Sequence, residues 1–88
     1  MQDHTRDDVL KRLNFIDGHL AGIRRMIEAD KYCVDVLKQT YAVRRAIEKM
    51  EAKMLEGHLH HCVLDAIRAG RPEESFAELV DLYRVANK

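Results

Sequence analysis

The sequence predicts an all-α protein, a three-helix protomer with one long central helix. Three observations carry that prediction. The 88 residues contain four glycines and one proline, with no Asn-Gly or Asp-Gly hairpin signal. Apolar residues in the first third fall at Val9, Leu13, Ile16, Leu20, Ile23 and Ile27, a 4-3-4-3-4 spacing that fits a narrow helix–helix seam. The stretch from Tyr32 to Ala69 contains no proline, and helices that long in small domains associate with other helices.

Each element has its own start and stop. The first helix is expected to begin at Thr5, because Thr5-Arg6-Asp7-Asp8 reads as a capping pattern with carboxylates in the first turn, where the helix dipole favours them. Leu10 and Met26 widen its seam, and the pattern breaks near Glu28-Ala29-Asp30-Lys31. The second helix is expected from about Tyr32 to Ala69. Its one weak point is Gly57, since an interior glycine costs about 1 kcal/mol relative to alanine. Gly70 and Pro72 end it: glycine suits the position after a helix, and proline opens the next one. The third helix runs from Pro72 or Glu73 to Val85, with Phe76, Leu79, Val80 and Tyr83 as its apolar face.

Composition narrows the function classes. One domain, residues 1–88, accounts for the length. Hydrophobic residues make up 47% and charged residues 34%, too apolar for a disordered tail and too polar for a membrane span of about 20 apolar residues. The N-terminus has no apolar signal core, so the expected address is the cytoplasm. Two cysteines, Cys33 and Cys62, are too few for a disulfide framework and are expected as thiols. Fifteen basic and fifteen acidic residues cancel, so any attraction to nucleic acid must be local. A chain this short buries a small core and gains from a partner chain or a metal.

The chemistry-bearing residues are Cys33, His58, His60, His61 and Cys62. Thiolate and imidazole suit Cu(I) and Zn(II). At 100° per residue, His58 and Cys62 both return to within about 20° of Cys33, while His60 points to the opposite side and His61 to a flank. His58 and Cys62 are an i, i+4 pair, spaced to share one ion. Cys33 cannot join them in its own chain, because 29 residues of straight helix span about 43 Å. An antiparallel partner helix solves this. With Cys33 opposite Cys62 of the other protomer, the two-fold axis falls between Ile47 and Glu48, and Arg44 faces Glu51 of the partner. Read alone, the same cysteines also fit small buried apolar side chains.

A basic stripe lies away from those residues. It comprises Lys38, Arg45, Lys49 and Lys53, with Lys11, Arg12, Arg24 and Arg25 added from the first helix. Segregated charge lets a neutral chain present a surface to phosphate, although a charged helix face is also simply a solvated one. No helix-turn-helix or zinc-finger pattern is present. Nothing resembles an oxyanion hole and no base stands beside Cys33 in its helix, so an enzyme is not expected.

Taken together, Arg12-Leu13, Ile16-Asp17-Gly18-His19, Gly22-Ile23-Arg24-Arg25-Met26-Ile27-Glu28, Tyr32-Cys33-x-Asp35-x-Leu37-x-Gln39 and His58-Leu59-x-x-Cys62 resemble the copper-sensing operon repressors. These are the CsoR group of a wider family that includes nickel/cobalt, formaldehyde and persulfide sensors. The resemblance covers nearly the whole chain, and the Cys…His-x-x-x-Cys set is its specific part. It implies an antiparallel dimer assembling into a dimer-of-dimers tetramer that binds operator DNA without metal and releases it on binding Cu(I). By resemblance, Cys33, His58 and Cys62 are the metal ligands. Tyr32 and Glu78 surround them, and Arg12 and Lys49 contact DNA, with Arg45 and Lys53 beside them in the stripe. No membrane and no small-molecule substrate are expected as partners.

Some positions depart from the family pattern. The common Gly-Gln of the first helix is Gly18-His19, and the arginine usual before Gly22 is Ala21. Nickel and cobalt sensors recruit an N-terminal histidine, so His4 and His19 keep a nickel, cobalt or zinc sensor as the alternative. A helical metal-binding scaffold without a DNA role is a further one. His58 separates the chain from the persulfide sensors, and Cys62 separates it from the formaldehyde sensors.

Overall fold

The computed structural model describes residues 3–88. Helix α1 spans Asp3–Glu28 and α2 spans Cys33–Gly57. A π-helical turn follows over His58–Val63, then α3 at Leu64–Arg68 and α4 at Pro72–Ala86. Backbone angles stay helical through Gly57, His58, Val63 and Leu64. The expected long central helix is therefore present as one rod from Cys33 to Arg68, widened near its C-terminal third. Three helical rods and no strand make up the described residues.

α1 is already helical at Asp3, so Thr5 does not cap it. Thr5 lies inside the helix and packs on Gly57 instead. Both turns between rods close the same way. At the end of α1, Lys31 N–H donates to Met26 O at 2.9 Å and Asp30 N–H to Ile27 O at 3.1 Å, with Asp30 at φ 55°. At the end of α3, Arg71 N–H donates to Ala66 O at 2.8 Å and Gly70 N–H to Ile67 O at 3.1 Å, with Gly70 at φ 77°. These are paired Schellman bonds around one left-handed residue. Pro72 then sits in the first turn of α4, where its missing N–H costs nothing.

The apolar seam of α1 divides. Val9, Ile16 and Ile23 are buried, the last two against Val43 with Val36, Ala46, Ile47 and Met50 around them. Leu13, Leu20 and Ile27, the intervening positions, are exposed. Phe76, Val80 and Tyr83 of α4 are exposed as well, so the apolar face expected for the third helix is not covered within the protomer.

The shape explains why. The Cα extents are 56 × 30 × 14 Å, a slab one helix layer thick, whereas a stable domain stacks at least two layers. The radius of gyration is 17.3 Å, against about 12 Å for a compact chain of this length. The accessible area of 7146 Å² exceeds the roughly 5,300 Å² expected of a compact monomer of this mass by about 1,800 Å². On one protomer, that excess is about twice the roughly 800 Å² that each partner contributes to a standard interface, and falls in the range of obligate assemblies.

Candidate metal centre and nucleic-acid interface

The π turn carries the histidines and the second cysteine. A π turn closes i→i+5 rather than i→i+4, occurs mostly as a single turn inside an α-helix and is frequent at functional sites. Because the turn is wider, a uniform count of 100° per residue from Cys33 does not hold beyond Gly57. What holds His58 and Cys62 together is a groove of about 920 Å³ between the central rod and α4, which both residues line. Its walls are mainly apolar, with Leu55, Leu79, Leu82 and Tyr83, and Glu48 and Glu51 stand at one end.

His58 is the unusual member. Its Nε2 is buried and has no hydrogen-bond partner, although such atoms are nearly always paired. Glu78 Oε2 from α4 stands 3.9 Å away, just beyond hydrogen-bond reach. Glu78, which the resemblance sets beside His58, thus stands near it without bonding it. Tyr32 lies at the far end of the rod, exposed and just before α2, remote along the chain from His58. Both cysteines are free and exposed. Cys33 opens α2 and does not share the groove of His58 and Cys62, as the rod length requires. No group of three metal-ligating side chains converges within the protomer among the described residues. Arg44, expected opposite Glu51 of a partner, lies with its guanidinium 5.0 Å from the centre of the Tyr41 ring.

The donor set fits a soft monovalent ion better than a hard one. Two thiols and one imidazole are soft-to-borderline ligands. The buried His58 Nε2 has no partner at hydrogen-bond distance, and Glu78 stands 3.9 Å from it. If Nε2 carries the proton and turns to Glu78, Nδ1 keeps its lone pair for a metal, the usual outer-shell arrangement of a ligating histidine.

The basic residues divide between two grooves. Arg12, Arg45 and Lys49 line a common groove of about 640 Å³ between α1 and α2, together with Lys11, His19 and Asp8. Arg12 Nε donates to Asp8 Oδ1 at 3.2 Å, one turn away. Lys53 does not join them. It is 4.0 Å from Glu56 Oε2 and lines a separate groove with His4, His60 and His61. The even four-residue stripe Arg45-Lys49-Lys53 is thus cut after Lys49.

Sequence reasoning offers His19 only as a further ligand for a nickel, cobalt or zinc site, and gives no role to Gln39 or to the Thr5–Gly57 contact. His19 was visible as a substitution in the Gly18-His19 motif, but its hydrogen bond to Gln39 at 2.7 Å joins two helices and leaves no local signal.

Residues 5–85 match a family model described as metal-sensitive transcriptional repressor. Over 83 residues the chain is 42% identical to the copper-sensing transcriptional repressor CsoR of Bacillus subtilis (strain 168), covering 94% of this chain and 82% of that one. Over 67 residues it is 46% identical to the copper-sensing transcriptional repressor RicR of Mycobacterium tuberculosis (strain ATCC 25618 / H37Rv), covering 76% and 70%. The crystal structure of the copper-sensing repressor CsoR with Cu(I) from Geobacillus thermodenitrificans NG80-2 superposes with a TM-score of 0.94 at 35% identity, covering all of this chain and 92% of that one.

Proposed function

This chain belongs to the family of metal-sensitive transcriptional repressors, and from that premise we propose that it is a Cu(I)-sensing repressor. In this reading it holds operator DNA in its metal-free form and releases it when Cu(I) binds between subunits. The family is one of transcriptional repressors rather than enzymes, in keeping with the sequence. No helix among the described residues is long and apolar enough to cross a membrane.

The observation that carries the proposal is the shared groove of His58 and Cys62, with Glu78 beside the buried His58 Nε2 so that Nδ1 is the nitrogen left for a metal. Cys33 of one protomer would complete the site with His58 and Cys62 of its antiparallel partner. Two such sites form per dimer, and two dimers form the tetramer. Support for a partner in that groove comes from its apolar wall and from the single-layer protomer. Bound there, Cu(I) would supply a three-coordinate crosslink between subunits, which divalent ions preferring four ligands would not match. The chain's own part is to position the ligands. The π turn presents His58 and Cys62, and Glu78 orients the imidazole from α4.

The coupling to DNA runs through the protomer's two long rods. Arg12 comes from α1, and Arg45 and Lys49 from α2. Any shift of α1 against the central rod therefore alters the spacing of the cations that meet phosphate. To move a population from 1:99 to 99:1 the metal must favour the released form by about 5.5 kcal/mol.

The nickel, cobalt or zinc alternative would need a further ligand at the Cys33–His58–Cys62 site. His4 shares its groove with His60 and His61, not with His58 and Cys62, and His19 is engaged with Gln39 in the basic groove. Within the protomer neither joins His58 and Cys62, and two thiols with one imidazole are a donor set suited to Cu(I).

The test is an anaerobic Cu(I) titration against a competing chelator, with release of labelled promoter DNA followed in the same sample. Release at one Cu(I) per protomer is expected. Tight Cu(I) binding without release would leave the site standing and remove copper as the signal.

A further inference from the structure

His19 sits in the same groove as Arg12, Arg45 and Lys49, and its ring is held from both helices. Nε2–H donates to Gln39 Oε1 of α2 at 2.7 Å. Phe15 of α1 meets the ring edge-on, with centroids 6.1 Å apart and planes at 81°. An amide oxygen only accepts, so this bond places the proton of the neutral ring on Nε2 and leaves Nδ1 as the basic nitrogen. Among the described residues, Nδ1 has no hydrogen-bond partner.

We propose that His19 is a proton-linked phosphate contact of the DNA surface, its protonated Nδ1–H donating to a backbone phosphate laid along this groove. The inference rests on the DNA-binding reading above and extends it to a residue and a condition. Protonation adds a charge without breaking the Gln39 bond, because Nε2 stays a donor in both states. Imidazole is the side chain whose charge ordinarily changes between about pH 5 and 8. The charged groups lining the groove are Lys11, Arg12, Arg45 and Lys49, with Asp8 the one carboxylate, and Asp8 is already paired with Arg12. No acid in the groove is left to neutralise a protonated His19, so a phosphate is the partner its charge would take. By linkage, DNA and the proton then favour each other's binding.

The experiment measures affinity of the metal-free protein for a labelled non-specific duplex at about pH 6 and about pH 8, each across about 50 to 200 mM salt. For the native chain, the slope of log affinity against log salt is expected to be steeper at the lower pH, by up to about 0.9 per protomer engaged. His19→Gln keeps a side chain able to bond Gln39 but cannot protonate, and its slope should change less with pH than that of the native chain. His19→Lys carries a fixed charge and should show the steep slope at both pH values. The other histidines are common to all three proteins, so the difference reads His19 alone. If His19→Gln keeps the native pH difference while Lys49→Ala weakens binding, the role of His19 is overturned and the DNA surface stands. If the native chain binds no duplex at either pH, both fall together.

Discussion

Thr5 packs against Gly57 so closely that a Cβ built on Gly57 would lie 2.7 Å from both Thr5 Cγ2 and Thr5 Oγ1. Gly57 is buried with φ −62° and ψ −41°, so it is glycine for space and not for conformation. The contact seats the first turn of α1 on the central rod one residue before His58. It thereby ties the helix that carries Arg12 to the turn that carries the candidate ligands.

Gly57→Ala should therefore destabilise the protein, even though alanine is the better helix former by about 1 kcal/mol. Thr5 is β-branched and its Cβ would be only 3.1 Å from the new methyl, so it cannot swing clear. A net loss of about 1 kcal/mol would lower the melting temperature by about 4–8 °C. Thr5→Ala should recover part of that loss, and a double-mutant cycle by thermal denaturation measures the coupling. A higher melting temperature for Gly57→Ala alone would contradict the contact.

The two Schellman turns give a second, independent stability test. Asp30 and Gly70 occupy the same left-handed position at the ends of α1 and α3. Gly70 has open space around it, so Gly70→Ala introduces backbone strain and no clash, and should cost about 1 kcal/mol. Asp30→Gly should move the other way by a few tenths to about 1 kcal/mol. Urea denaturation at constant m-value checks both signs, and equal signs would mean the left-handed geometry is not what matters.

Much of this was legible in the sequence, and the failures have physical causes. Gly70 with Pro72, and the heptad positions Val9, Ile16 and Ile23, act locally or periodically, so the rods and their ends could be read directly. The start of α1 was misread because Thr5 makes a tertiary contact rather than a local cap. The π turn was invisible because it continues the helix on both sides, with helical angles at Gly57, His58, Val63 and Leu64, and differs from it in hydrogen-bond partner. The pairing of His58 with Glu78 came from family resemblance, and no periodicity rule links residues on different helices. Lys53 looked equivalent to Lys49 by spacing, yet Glu56 and a different groove separate them.

Cys33→Ala should abolish release of DNA by Cu(I) while leaving metal-free DNA binding intact. Cys33 is exposed at the start of α2 and contributes to no core, so its loss should not unfold the protomer. Stoichiometric Cu(I) titration with DNA release as readout decides it. Release at native copper levels in the variant would remove Cys33 from the site.

Lys49→Ala should weaken DNA binding across sequences and reduce the salt slope by about one, because Lys49 shares a groove with Arg12 and Arg45. Lys53→Ala should change it far less, since Lys53 neighbours Glu56 in another groove. Fluorescence anisotropy at several salt concentrations compares the two directly. Equal losses from both would mean DNA follows the stripe along the rod rather than the groove between helices.

Glu78→Gln separates holding the metal from transmitting its signal. The Glu78 carboxylate lies 3.9 Å from His58 Nε2 and is mostly exposed, so its loss should leave the fold unchanged. Glutamine is a weaker acceptor for the imidazole N–H, so His58 would be less firmly oriented from α4. The three proposed ligands, Cys33, His58 and Cys62, are left unchanged, and Cu(I) should still bind at one per protomer. Affinity should fall by up to about 10–100-fold, the usual cost of losing an outer-shell partner. The sharper expectation concerns DNA. With copper saturating, the variant should retain more DNA than the native protein, because the link from the π turn to α4 is the part removed. Measuring residual DNA affinity at saturating Cu(I) tests this apart from metal affinity. Full release at saturation, with only the metal affinity lowered, would confine Glu78 to orienting the ligand and place the transmission to DNA elsewhere, with the Thr5–Gly57 contact the next position to vary.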